Sequence, residues 1–537
     1  MGLGIRSSLL IGLCVVFAGT AAHTGCDAGH ARHRRRDPGA LVVAQAADVQ
    51  LLDPVRVQDS ESIGVGTLLF EGLVRWKAGS TDVEPGLAMS WEESPDGKVW
   101  TFHLRPGVMF HDETPLDAAA VAFSFERVLL RTHPHYLAAE DADYWRSLMK
   151  EVTSVVPIDR GTVQIRVARP YAPLLGNLVL FPIVSPAAVR ERRDGFKAHP
   201  VGTGPFRFES WRPGDSVVVK RFDRYWGDRP LLERIVFRVV VDARQRLVDL
   251  ESGSVDLATA ILPDEQSFVE LHPDLELHHA PGNDVSYLAF NMSRRPFEDR
   301  SVRQAFAHAI NKQPIVKLAF QGRAVAADGP VPPIQWGHHP PRTRYAFDPA
   351  RSRELLSAAV VSQVLDPGAT YTLYAPSTPR PYLPSPERVA RFLQAGLAQA
   401  GIKTELRLQP YQRHRASVEA GEHDLALFGW IGDTGDPDNF LYVLFHSDNT
   451  VEGTATNISF FRDREVDRLL TAAQGAGDQA SRTRLYVEAQ DRIAQEAPWV
   501  PIAHSEYVVA ARKDLEGVAL SPLGHPTYSR MARKRHR

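Results

Sequence analysis

A chain of 537 residues is long enough for two to four domains and more than one sizeable core. Apolar residues make up 44% and charged residues 23%, the balance of a soluble globular protein, and a formal net charge of −2 gives no basic field for nucleic acid. Partners must therefore be read from local sites.

Residues 1–26 read as an export signal. Arg6 supplies the positive start, and SSLLIGLCVVFAGTAA (7–22) is an apolar core too short for a membrane span. HTGCD follows, with Cys26 where a lipoprotein signal is cut. Thr24 and Gly25 suit the small-residue positions; His23, where leucine is usual, does not. The chain has two cysteines, Cys14 in the signal core and Cys26, so the exported part has no disulfide and Cys26 is left for a thioether lipid. Cleavage after Ala22 and an uncleaved anchor are the alternatives. Residues 27–39, including HARHRRRDPG, form a basic linker, either a solvated spacer or a rest on anionic headgroups.

From about residue 40 short strand-like runs alternate with amphipathic helices, without repeats or low-complexity segments. VWTFHLRPG (99–107) follows the turn signal SPDG and SVVVKRF (216–222) follows RPGD, each predicting one arm of an antiparallel hairpin. TYTLYA (370–375) predicts a strand. SPERVARFLQAGLAQAG (385–401) predicts a helix capped by Ser385, opened by Pro386 and closed by Gly401, with Val389, Phe392, Leu393 and Leu397 buried. IKTELRL (402–408) is a second strand, 411–420 a short helix and DLALFGW (424–430) a third strand. Such alternation implies parallel pairing, which gathers the loops after each strand on one carboxyl edge. Arg380 in TPRPY and Asp433 in GWIGDTGDPDNF (429–440) would then face one crevice, a cation and an anion suited to a small zwitterion.

Competing chemistries fit less well. In DTGDPDN neither Asp433 nor Asp436 as first position gives the oxygen spacing of a calcium loop. No G-x-S-x-G elbow, H-E-x-x-H helix or P-loop occurs. The pairs His278/His279 and His338/His339 read as solvated loop residues rather than metal ligands. A plain Arg380–Asp433 salt bridge remains open, and Asp436, Pro437 and Asp438 read as turn formers.

A series of blocks resembles the family 5 solute-binding proteins of ABC importers, the peptide- and nickel-binding group. They include LLFEGLVRW (68–76), EPGLAMSWEESPDGKVWTFHLRPGVMFHD (84–112), VGTGPFRFESWRPGD (201–215), YLAFNMSRRPFEDRSVRQAFAHAINK (287–312) and APWVPIAHS (497–505). The last third, with its RPY and GD-x-GDPDN motifs, is similar to the periplasmic dipeptide-binding branch. The resemblance implies an α/β, periplasmic-binding-protein-like type II fold in three parts: domain I from 40–72, 198–284 and 500–537, domain II from 73–197, and domain III from 285–499. The ligand cleft would lie between I and III. It further implies that Arg380 holds a peptide carboxylate and Asp433 its ammonium, with Trp430 as a pocket wall or a core aromatic. The expected protein is an exported, non-enzymatic, monomeric binder of the periplasm or cell envelope, lipid-anchored, without cofactor or metal, which delivers dipeptides or short peptides to an ABC permease and ATPase complex. An exported peptidase is the rival from another class; a haem or nickel binder or a chemosensory receptor would share the fold. Departures from the family pattern are Glu113 for its glycine, DAAAVAFS (117–124), the missing cysteines of the dipeptide branch, and DPVRVQDSESIG (53–64).

Overall fold

The strand Trp499–Arg512 carries two half-sheets. Its first residues pair with Asp284–Phe290, and its last seven pair with Leu275–Pro281, both antiparallel. The computed structural model describes residues 39–57 and 59–534, so the signal, Cys26 and nearly all of the basic linker lie outside the described residues.

The resulting 12-stranded sheet runs Lys403–Gln409, Thr370–Pro376, Leu425–Ile431, Asp284–Phe290, Trp499–Arg512, then Leu257–Ala258, Ala40–Gln45, Arg234–Val239, Ser216–Arg221 and Phe206–Arg212, with Leu275–Pro281 and Ala324–Ala326 paired to Trp499–Arg512 off this path. Ser216–Arg221 pairs antiparallel with Phe206–Arg212, as its turn signal predicts. A separate four-stranded antiparallel sheet holds Ala88–Glu93, Val99–Leu104, Thr162–Val167 and Val152–Pro157.

The strand–helix–strand reading of 370–431 holds. Thr370–Pro376 pairs parallel with both Lys403–Gln409 and Leu425–Ile431. Leu425–Ile431 reads as an unbroken apolar run because the sheet is covered on both faces. Leu425 and Leu427 enter one core with Leu373, Leu393 and Phe290, while Ala426 and Phe428 enter another with Tyr287, Phe440 and Trp499. Leu427 is fully buried, so its truncation to alanine costs about 2–5 kcal/mol.

The connecting helix spans Pro386–Gln399, with Pro386 in its first turn and Val389, Leu393 and Leu397 fully buried. Gly401, at φ 89°, takes the left-handed position that ends it. Ser385 occupies the cap position, but its side chain makes no capping hydrogen bond; proline at the first helical position leaves one fewer donor to satisfy. Glu113 stands at φ 67°, a conformation that glycine adopts freely, and its carboxylate meets Arg224 at 3.0 Å. No helix among the described residues is long and apolar enough to cross a membrane.

Candidate functional site

Parallel pairing of Leu373 with Leu425 and Tyr374 with Ala426 sends the two following loops to the same edge. Asp284, opposite Ile431 in the neighbouring antiparallel strand, brings Asn283 there too. Asn283 Nδ2 donates to the Gly432 carbonyl, and the Gly432 amide donates to the Asn283 carbonyl, both at 2.7 Å. One asparagine thus fixes the exit from the strand. A second, Asn439, accepts from the Trp430 indole at 2.8 Å and from the Asp433 amide at 3.2 Å. The second of these holds the Asp433 backbone in place.

The aspartates of this turn do different work. Asp436 forms a buried bidentate pair with Arg482, both contacts 2.7 Å, and its Oδ1 accepts from the Asp438 amide at 3.0 Å. That second bond is the local turn contact expected from the sequence; the ion pair is additional and was not legible there. Asp438 opens the helix Asp438–Phe445 and accepts from Gln474 at 3.1 Å. Burial, reinforced by neighbouring Asp436, pushes its carboxyl up to about 7.

Asp433 is half-buried. Burial pushes its carboxyl up to about 6, and a hydrogen bond from the Tyr144 hydroxyl opposes that shift without cancelling it. No cation among the described residues contributes to its charge balance. Tyr144 belongs to the helix Ala139–Leu148, far away in the chain; its ring is 40% exposed while its hydroxyl reaches inward.

Arg380 sits in a loop closed by paired backbone bonds to Leu383, 3.0 and 2.8 Å. Its Cζ lies 4.0 Å from the centre of the Tyr411 ring, a cation–π contact. Its Nε is buried without a hydrogen-bond partner, and no ion pair joins it to any described residue. The Tyr382 hydroxyl lies beside Arg380 and Tyr411. The Tyr382 ring fits because residue 429 is glycine: a Cβ there would come 2.2 Å from Tyr382 Cδ2. The plain Arg380–Asp433 salt bridge is thus not formed.

Trp430 is half-buried, packs beside the core of Tyr287 and Phe440, and spends its indole N–H on Asn439. The histidine pairs are used singly: His338 bonds the Val331 carbonyl, His339 meets Asp491, and His279 meets Glu506. No group of three metal-ligating side chains forms among the described residues. Tyr382, Asn439 and Tyr411 follow strands of the same parallel set, so the edge rule had the means to find them. Asn283, Tyr144 and Arg482 come from other elements and carry no local signal.

Residues 82–452 match the family model for bacterial extracellular solute-binding proteins, family 5, middle part. The chain is 33% identical over 475 residues to the dipeptide-binding protein of Escherichia coli K12, covering 85% of this chain and 87% of that one. It is 32% identical over 476 residues to heme-binding protein A of Haemophilus influenzae, covering 86% of each. An ABC transporter-associated periplasmic binding protein from Helicobacter pylori, solved with the peptide STSA, superposes with a TM-score of 0.79 at 31% identity, covering 93% of this chain and 98% of the other. These relatives are binding proteins rather than enzymes, which sets aside the exported-peptidase alternative, and the shared architecture is the type II periplasmic-binding-protein fold. The chain belongs to the family 5 extracellular solute-binding proteins of bacteria.

Proposed function

We propose that the protein captures dipeptides or short peptides outside the cell membrane and delivers them to an ABC importer. The observation that carries this reading is a pair of opposite charges, Arg380 and Asp433, that form no ion pair among the described residues and sit in loops that leave adjacent parallel strands on one edge. A dipeptide presents a carboxylate and an ammonium separated by roughly 6–7 Å of extended backbone. Arg380 can meet the carboxylate bidentately, and Asp433 gives the ammonium a compact acceptor. Holding both ends measures length: a third residue overruns by about 3.5 Å and strands one charge. Trp430, anchored through Asn439, forms a wall of this pocket.

Closure is proposed as a hinge motion of three parts, 40–72 with 198–284 and 500–537, then 73–197, and 285–499, with the cleft between the first and third. The Tyr144–Asp433 contact supports a closed arrangement in which the second part also reaches the site. Cys26 is proposed to carry a lipid anchor. Wild type is then expected in the membrane fraction and Cys26→Ser in the soluble exported fraction; equal partition of the two removes the anchor.

Arg380→Ala and Asp433→Ala are each expected to weaken dipeptide binding at least tenfold in calorimetry while keeping the wild-type circular dichroism. Wild-type affinity in both variants would overturn the assignment. The haem-binding relative makes haem the second reading; a Soret band that titrates at one equivalent, with no heat from dipeptides, would favour it.

A further inference from the structure

We propose that the cleft lined by Arg192 and Arg207 is a second binding site, which takes a phosphate group carried by a small ester or a lipid headgroup.

The cleft encloses about 430 Å³, the size of a small-molecule site. Its charged and polar lining consists of His111, Asp112, Arg192, His199, Arg207 and Glu209. None of these belongs to the Arg380–Asp433 site, so the cleft stands apart from the peptide reading.

Most of the lining is already engaged. His111 accepts at Nδ1 from the Gly202 amide at 3.3 Å, and its Nε2 donates to the Gly204 carbonyl at 3.0 Å. Asp112 accepts from the hydroxyls of Ser185 and Thr114. Glu209 holds Arg234 through both oxygens, at 2.6 and 2.9 Å, with Lys220 at 3.8 Å. Arg192 donates from one terminal nitrogen to the His199 carbonyl at 2.6 Å and forms no ion pair with any described residue. Arg207 is half-buried and makes neither a hydrogen bond nor an ion pair with any described residue. Its Nε is shut off from water without an acceptor. A guanidinium held this way carries a desolvation cost that an anion would offset.

Strand pairing explains why Arg207 is left over. Arg207, Lys220 and Arg234 stand opposite one another across three strands, and Glu209 turns to the last two. Two arginines then face the cleft with only Asp112 against them. A phosphate offers each planar fork its own oxygens, whereas a carboxylate has a single pair to share. The row continues to Ala40, which pairs with Arg234. The cleft therefore lies three strands, about 14 Å, from the point where the basic linker joins the sheet. A membrane tether on that linker brings headgroup phosphates within reach.

The test uses the chain carrying Cys26→Ser throughout, so that no lipid of its own draws it to a membrane. Binding is read by calorimetry with glycerol 3-phosphate and by cosedimentation with phosphatidylglycerol vesicles. Wild type at the cleft is expected to bind at least one probe. Arg207→Gln should weaken that binding at least tenfold without lowering the melting temperature, since Arg207 has no bond to lose, and Arg192→Gln should weaken it as well. Lys197→Gln removes an exposed charge outside the lining and should bind as before. Binding of the ester alone assigns the cleft to small phosphates; binding of vesicles, with or without the ester, assigns it to headgroups. Failure of both probes overturns the site. So does undiminished binding in Arg207→Gln, or an equal loss in Lys197→Gln, which would mark diffuse surface charge.

Discussion

Asp433 combines three features on one carboxylate: burial, a neutral hydrogen-bond donor and no cation beside it among the described residues. Its carboxyl is raised to about 6, so the free site changes charge just below neutral pH. The α-amino group of a dipeptide stays protonated up to about pH 7.7, and its carboxylate stays ionised down to about pH 3.5. On the proposed site, binding needs ionised Asp433, and a proton competes with the ammonium for it. Affinity should therefore be greatest near pH 7, fall by up to tenfold per unit below pH 6, and fall again from about pH 8 as the ligand's α-amino group loses its proton. Tyr144→Phe removes the bond that lowers this pKa, so the midpoint should move to higher pH. Calorimetry between pH 4.5 and 8 reads both effects. An unchanged midpoint in Tyr144→Phe would separate the profile from Asp433.

The turn from Gly432 to Asp438 is held by more than its own residues. Its rigidity comes from Asn283 on one side and from the buried Asp436–Arg482 pair on the other. Arg482 also donates to the Tyr486 hydroxyl at 2.8 Å, which ties the turn to the helix Gln479–Glu496. Arg482→Ala would leave Asp436 charged, buried and next to Asp438, a loss of about 3–5 kcal/mol in stability. Arg482→Met with Asp436→Asn removes both charges and should recover most of it, a non-additivity visible in denaturant unfolding. If the double variant is as unstable as the sum of its parts, the pair does not account for the turn. The helix Pro386–Gln399 contrasts with this turn. Its apolar spacing, Pro386 and Gly401 all act within the segment, so its ends were readable to within two residues.

Across the whole molecule, the acidic turn meets a part of the chain remote in sequence. A Cβ on Gly435 would come 2.1 Å from the Thr81 carbonyl and 2.9 Å from the Trp76 indole nitrogen, so this glycine permits close approach between the turn and the hairpin of Val74–Trp76 and Val83–Pro85. Thr81 also donates to the Ile334 carbonyl at 3.3 Å. Gly435→Val is expected to push these surfaces apart and to weaken dipeptide binding at least tenfold, while near-wild-type melting shows that the cores are intact. Wild-type affinity in that variant would mean that the seating of the turn is irrelevant to capture.

The sequence by itself determined what is periodic or local. Strand 370–376 and strand 425–431 are readable from their alternation and bounding turns, and their parallel pairing follows from the helix between them. That pairing places Arg380 and Asp433 on one edge. Packing of segments remote in sequence sets these charges apart, pairs Asp436 with Arg482, and brings the Tyr144 hydroxyl to Asp433. Burial, hydrogen-bond partners and the field around a carboxylate depend on which distant segments pack together. A stretch such as GDTGDPDN cannot record neighbours contributed from elsewhere in the chain.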